Sequence, residues 1–150
     1  MKEINIKVPE GYIIDKENSN LDKGTIAFKK ENTLPNSWEE YINSLSPKKL
    51  IMVNTAINHL YCFPENIRCK YIALLKLELL RDVYRQGWKP DYDNTKEYKF
   101  NIVRFLNNNF DTAILSTITP HFLAFQSEKI SNKFFSNFED LIKQAEDLIN

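Results

Sequence analysis

Glycine and cysteine are both scarce in this chain of 150 residues, which contains three glycines and two cysteines. A loop that binds phosphate through bare backbone needs closely spaced glycines, so the composition excludes a P-loop and a dinucleotide-binding turn. Charge of one sign is not in excess either, because twenty basic residues balance twenty acidic ones. The formal net charge of zero gives no strong overall signal for nucleic acid or an anionic membrane, although a local basic patch is compatible with it.

Long apolar runs are also absent from the sequence. No stretch approaches the roughly 20 consecutive apolar residues of a membrane-spanning helix. The first residues, MKEINIKVPEG, alternate polar and apolar side chains and do not form the apolar segment of an export signal. We therefore expect a cytoplasmic protein without a membrane partner, in which Cys62 and Cys69 are reduced thiols.

Core-forming residues, in contrast, are abundant. Hydrophobic residues make up 43% of the chain and aromatic residues 13%, which is enough for a packed core and argues against disorder. The length suits a single α+β domain of residues 1–150, and the alternative is a separate subdomain for residues 1–47.

Two strands and a short helix are predicted in the first third of the chain. Residues 4–8 and residues 25–30 each alternate apolar and polar side chains, which predicts the two strands of a hairpin with a long polar connection. Ser37 is a suitable N-cap for a short helix that begins near Trp38 and is limited by Pro47.

Residues 50–63, LIMVNTAINHLYCF, fit two structures. The spacing of Val53, Ile57 and Leu60 fits a helix. The β-branched residues of IMVNTAI favour a strand with a turn near Asn58, and this is the preferred prediction.

The longest predicted helix covers residues 65–87. Its apolar residues recur at helical spacing and form a wide stripe, which indicates a central helix covered on several sides or one half of a homodimer contact. Gly87 follows the last turn, where a left-handed C-cap usually lies.

Three strands and an amphipathic helix are predicted to follow. The strands are YKFNIVRF, FDTAILSTI and HFLAFQ, the first two joined by a turn at residues 107–109, and the helix begins after an N-cap at Ser127. Because strands and helices occur in blocks, we predict an α+β fold. Its antiparallel sheet would contain the N-terminal hairpin and a C-terminal three-stranded meander, packed by the long central helix and the C-terminal amphipathic helix.

Residue groups that could form a metal or catalytic site are incomplete. His59, Cys62, Glu65 and Cys69 lack the close ligand pairs of a structural zinc site, so no metal is predicted there. His121 has Ser and Thr neighbours in sequence but no nucleophile elbow, and therefore no catalytic residue is predicted.

The segment RQGWKPDYD, which follows the central helix, is the candidate site. Gly87 and Pro90 predict a sharp corner there. Asp91 and Asp93 form a DxD pair that could hold a divalent metal, although an Asx turn is the favoured interpretation. Cations beside aromatic rings are suited to a nucleotide-like ligand and are also enriched in protein interfaces. The predicted ligand-binding residues are Arg85, Trp88, Lys89, Asp91, Tyr92, Asp93, Lys96 and Tyr98.

Several stretches resemble a known group of proteins. IKVPEGYIIDKENS, TIAFKK and LPNSWEEY are similar to the start of many small uncharacterised proteins from phages, prophages and mobile elements of gut bacteria. LLKLELLRDVYRQGWKPDYDNTKEYKF and FLAFQSEKISNKFFSNFEDLIKQAEDLI resemble a module that recurs in the same group. There a tryptophan or tyrosine often closes a W-x-P-D-W segment, and here it is Tyr92. The resemblance covers nearly the whole chain and implies a phage or mobile-element setting, and hence the host cytoplasm, with no activity to assign to any residue.

Three functions are compatible with the sequence. The favoured one is a non-enzymatic accessory protein that binds a host or virion protein and self-associates, because the core is ample and no catalytic constellation is present. The second is a sponge-type protein that sequesters a small nucleotide immune signal at residues 85–98. The third is a metal-dependent phosphodiesterase or nuclease that uses Asp91, Asp93 and His121. No cofactor is predicted.

Overall fold

The chain divides into two compact units, Met1–Leu34 and Pro35–Asn150, which are described separately. The computed structural model describes residues 6–10, 12–20, 22–30, 33–94, 96–104, 110–115 and 120–149. The described residues form helices and antiparallel strands, and the predicted α+β class is confirmed.

The first unit is a hairpin of β1 (Tyr12–Asn20) and β2 (Thr25–Lys30). The second strand is as predicted, but the first is not, because residues 6–9 lie outside any strand and residues 1–5 lie outside the described residues. The polar stretch from Asp15 to Asn20, predicted as a connection, is part of β1. Its side chains supply hydrogen bonds where the register is irregular, since Ser19 Oγ accepts from the Ala27 amide at 3.0 Å.

The second unit begins with two helices, α1 (Trp38–Ser44) and α2 (Pro47–His59), followed by a short 3₁₀ helix (Leu60–Cys62). Ser37 caps α1 as predicted, because its Oγ accepts from the Glu40 amide at 3.1 Å. The strand predicted within residues 50–63 is wrong. Proline lacks an amide hydrogen, but residues in the first turn of a helix do not use theirs for intrahelical hydrogen bonds. Pro47 therefore begins α2 as well as limiting α1.

The long helix α3 (Glu65–Arg85) is confirmed, and three strands follow it: β3 (Lys99–Arg104), β4 (Phe110–Leu115) and β5 (Ala124–Phe125). The predicted turn at residues 107–109 lies outside the described residues. The strands are antiparallel in the order β4-β3-β5, so the prediction of a meander, which would place β4 in the centre, is wrong. Buried Asn101 of β3 lies opposite both Ala113 and Ala124.

The chain ends in α4 (Glu128–Gln144) and α5 (Glu146–Ile149). Ser127 caps α4 as predicted, because its side chain accepts from the Ile130 amide. The core lies where α3 packs on α4 and where α4 packs on the three-stranded sheet. Its centre is a cluster of aromatic rings, in which Phe134 lies 4.8 Å from Phe125 and 5.0 Å from Tyr84. No helix among the described residues is both long enough and apolar enough to cross a membrane.

Candidate functional site

The corner segment, residues 85–99, reverses the chain between α3 and β3. Gln86 and Gly87 both adopt left-handed backbone conformations, with φ of 49° and 87°. The predicted left-handed cap is therefore present, but it begins one residue early, at the non-glycine Gln86. The Trp88 amide then donates to the Arg85 carbonyl at 2.8 Å, which directs the chain away from the helix.

The carboxylate of Glu97 holds the two ends of the corner segment together. Trp88 Nε1 donates to Glu97 Oε1 at 3.1 Å, and the Asp91 amide lies 3.4 Å from Glu97 Oε2. The first of these bonds orients the indole ring of the half-buried Trp88, and the second holds the backbone at Asp91. Sequence reasoning missed Glu97, because no pattern links a carboxylate to an indole nine positions earlier.

Asp91 organises the tip of the corner segment as an Asx turn. Its Oδ1 accepts from the amides of Asp93 and Asn94 at 3.0 and 3.3 Å. The favoured interpretation of the DxD pair is thereby confirmed for Asp91, while Asp93 is exposed. Among the described residues, no group of three or more His, Cys, Asp and Glu side chains could hold a metal ion.

Tyr92 joins the corner segment to the chain before β5. Its hydroxyl donates to the His121 carbonyl at 3.1 Å and accepts from the His121 amide at 3.2 Å. Both hydrogen-bonding functions of this phenol are thus used on one backbone position. His121 contributes its backbone to this contact, and no contact of the described residues links its imidazole to a nucleophile.

Lys99, which no sequence pattern singled out, fills the inside of the corner segment. It is 1% exposed, and its Nζ donates to the carbonyls of Asn94 and Glu97 at 3.1 and 3.2 Å. The same ammonium group lies 3.7 Å from the Glu97 carboxylate and 5.6 Å from the centre of the Tyr92 ring. The buried charge is therefore paired, hydrogen-bonded and covered by an aromatic face.

Arg85 connects the end of α3 to β5. Its Nε donates to the Ala124 carbonyl at 2.8 Å, and its Nη2 donates to the Phe122 carbonyl at 3.2 Å. Burial, and secondarily the positive charge of Arg81, lower the pKa of Arg85 to about 10. Arg85 thus has a structural role, and its charged form is less favourable in the protein than in water.

The structure divides the eight predicted site residues into two sets. Arg85, Trp88, Asp91 and Tyr92 make the contacts that shape the corner segment. The side chains of Lys89, Asp93, Lys96 and Tyr98 are exposed, that of Tyr98 to 66%.

Only three of the eight predicted residues line the cleft beside the end of α3. This cleft has a volume of about 510 Å³, and its lining includes Arg81, Asp82, Arg85, Gly87, Trp88 and Lys89. Sequence reasoning missed Arg81, although it precedes Arg85 by four positions and so lies on the same helical face. Its guanidinium lies 4.5 Å above the Phe122 ring and bonds Asp82 Oδ1 at 2.8 Å.

A second candidate site consists of exposed apolar side chains, called here the apolar surface, on α2, on the 3₁₀ helix and the residue after it, and on the first half of α3. Its side chains are apolar or aromatic and each is at least 40% exposed: Ile51, Met52, Tyr61, Phe63, Ile67 and Tyr71. Phe63 and Tyr71 stack with their ring centres 5.7 Å apart, and Arg68 covers Tyr61 at 4.7 Å. Met52 also lines an apolar groove of about 350 Å³ whose other walls include Val53, Leu75 and Leu79, with Lys49 at its edge.

Cys62 and Cys69 lie near this surface, and both are free and exposed. Cys62 Sγ lies 3.0 Å from the His59 carbonyl oxygen.

No family model matches this chain, and neither a curated protein nor a solved structure is detectably similar to it.

Proposed function

We propose that this protein is a non-enzymatic binding protein that engages a protein partner through the apolar surface. The observation that carries the proposal is the exposure of that surface, since Ile51 and Met52 are 66% and 63% exposed on one helix. Large exposed apolar patches mark interaction sites, and methionine and aromatic residues are enriched at protein interfaces.

The charges around the apolar surface favour an acidic partner. The helix α2 contains Lys48 and Lys49 and no acidic residue. Between Pro47 and Tyr71 the only acidic residue is Glu65. An acidic amphipathic helix would place its apolar residues on this surface and pair its carboxylates with the lysines, which is a common mode of peptide recognition.

The groove beside Met52 gives this mode a definite anchor point. Its walls are apolar and belong to α1, α2 and α3, so it can receive one apolar side chain of the partner helix. Lys49 at its edge is exposed and is available to a carboxylate one helical turn away on that partner. A second copy of the chain would present the same excess of lysines, so an acidic partner complements this surface better than self-association does.

The setting that we propose is that of a phage or mobile-element accessory protein that acts on a host or virion protein. The resemblance of the sequence to small proteins of phages and mobile elements supports this setting. The apolar surface supports the binding role independently of the setting.

Fluorescence anisotropy with two labelled peptides tests the proposal. Both are amphipathic helices with the same apolar residues, one with acidic and one with basic flanks. We expect the acidic peptide to bind more tightly, and Met52→Glu and Lys49→Glu each to weaken it by about tenfold or more. Lys133→Glu is the matched control, because Lys133 is exposed on α4, and it should leave binding unchanged.

Two results would overturn the proposal. One is equal affinity for the acidic and the basic peptide, or no binding of either. The other is a dimer in sedimentation velocity that Met52→Glu dissociates, because the occupant of the apolar surface would then be a second copy of the chain.

A further inference from the structure

We infer that the cleft beside the end of α3 binds a small organic anion that carries a planar ring, of the nucleoside monophosphate class. The cleft is separate from the apolar surface, and the inference does not depend on the proposed function. Its volume of about 510 Å³ is within the range of small-molecule sites. Three cations, Arg81, Arg85 and Lys89, line it together with Trp88.

The positive charge of the cleft is only partly neutralised. Arg81 is paired, because its Nε and Nη2 bond Asp82 Oδ1 at 3.0 and 2.8 Å, with Glu78 at 3.6 Å as a longer partner. Among the described residues, Arg85 and Lys89 have no carboxylate partner. Within the part of the chain that the structure describes, the Arg85 guanidinium donates to the neutral carbonyl oxygens of Phe122 and Ala124 and lies 5.9 Å from the centre of the Trp88 ring.

A half-buried cation without a directly bonded carboxylate favours an anionic ligand, although the charges of Tyr92 and Asp82 offset part of the cost of its burial. Burial and the nearby charge of Arg81 make the ionised form of Arg85 less favourable than in water, and its pKa falls to about 10. An anion in the cleft would offset both effects. The negative end of the α3 dipole opposes an anion, but its partial charge of about half an electron is smaller than the charge of either unpaired cation.

The aromatic wall provides the second element of recognition. Trp88 is half-buried, and the bond from its Nε1 to Glu97 at 3.1 Å fixes the orientation of the indole. A fixed indole at the wall of a cationic cleft suits a ligand in which a flat ring is joined to a phosphate, because bases stack on aromatic side chains while cations hold phosphate.

Lys89 is the side chain whose ammonium group, on a flexible stem, would pair with the phosphate. It is exposed, and no described residue pairs with it. Replacing Lys89 should therefore alter ligand binding without altering the fold. Lys96 is an exposed lysine of the same corner segment that does not line the cleft, and it provides the matched control.

Isothermal titration calorimetry with adenosine monophosphate, inorganic phosphate and adenosine tests the inference on the intact chain. We expect the monophosphate to bind more tightly than either of the other two probes. Lys89→Ala should weaken it by about fivefold or more, while Lys96→Ala changes it by less than about twofold. Trp88→Phe should weaken the monophosphate but not inorganic phosphate.

Three outcomes would overturn the inference. The first is no heat with any probe up to about 5 mM, a weak limit for a specific site. The second is equal affinity for phosphate and the monophosphate, which would show that the planar ring contributes nothing to binding. The third is equal weakening by Lys89→Ala and Lys96→Ala. Binding of the acidic peptide to Lys89→Ala should be normal, so failure here is distinguishable from failure of the proposed function.

Discussion

The phenol of Tyr84 donates a 2.7 Å hydrogen bond to the carbonyl oxygen of Pro35, which lies 49 positions earlier in the chain. The same oxygen accepts from Asn137 Nδ2 at 2.9 Å. Tyr84 is fully buried, and the edges and faces of Phe134 and Phe138 surround its ring. One hydroxyl therefore links α3, α4 and the chain that leads into α1, at the centre of the aromatic core.

Tyr84→Phe is expected to lower the free energy of unfolding by about 1–3 kcal/mol. The variant keeps the ring contacts but leaves the Pro35 carbonyl and the Asn137 amide without this partner. Urea unfolding measures the difference. Tyr98→Phe is the control, because Tyr98 is 66% exposed, and it should be within about 0.5 kcal/mol of the wild type.

The same residue should also affect stability at alkaline pH. Burial raises the pKa of Tyr84 above its usual value, with the hydrogen bond from Asn137 opposing and the charge of Glu40 assisting. Above about pH 10 the unfolded chain loses the phenol proton while the folded chain retains it, so stability falls as pH rises.

Urea unfolding between neutral pH and about pH 11 measures this loss, which should be shallower in Tyr84→Phe. Part of the loss should remain in the variant, because burial also raises the pKa of Tyr41. The lowered pKa of Arg85 acts in the opposite direction in both proteins and cancels in the comparison. Parallel pH profiles would show that the Tyr84 phenol is not protected in the folded chain.

Lys99→Met is expected to lower the free energy of unfolding by about 1.5–3 kcal/mol, the range for hydrogen bonds to charged groups. The change removes the ammonium group that donates to the carbonyls of Asn94 and Glu97 inside the corner segment. Lys96→Met removes an exposed lysine from the same segment and should have a small effect. Equal denaturation midpoints for the two variants would contradict the role of Lys99.

Elements with a clear helical period or a suitable cap were predictable from the sequence. The helix α3 and the caps Ser37 and Ser127 are examples, because an apolar stripe and a side-chain acceptor are local signals. The helix α2 was not predicted, since its β-branched residues suggested a strand. The helical period is visible in the burial, because Val53 is buried and Ala56, Ile57 and Leu60 are half-buried, while residues 54–55 and 58–59 between them are exposed.

Pairing between distant segments was not predictable in the same way. The strand β5 has two residues and pairs with β3, and Arg85 of the distant helix α3 donates to the carbonyls of Phe122 and Ala124 in and beside it. The polar strand β1 depends on bonds such as Ser19 to Ala27 across the hairpin. No local pattern encodes such contacts.

The turn of the corner segment was predictable from the sequence, but the contacts of its side chains were not. The corner segment and its Asx turn followed from Gly87, Pro90 and Asp91, which are local turn signals. The cations that line the cleft come from the last turns of α3 as well as from the corner segment, and their placement depends on the packing of α3 beside Phe122. Arg81 was therefore missed, and Lys96, which was predicted, does not line the cleft.

Asp91→Asn tests whether the DxD pair is a turn or a metal site. Asparagine retains the side-chain oxygen that accepts from the amides of Asp93 and Asn94, so the variant should unfold within about 0.5 kcal/mol of the wild type. Asp91→Ala removes the acceptor and should cost about 0.5–1.5 kcal/mol. Differential scanning calorimetry should show no shift in Tm on addition of Mg²⁺ or Mn²⁺ to any of the three proteins. Both variants lack the carboxylate charge that a divalent metal would need. A metal-dependent rise in Tm of the wild type that is absent in Asp91→Asn would therefore assign Asp91 to a metal site and restore the phosphodiesterase or nuclease hypothesis.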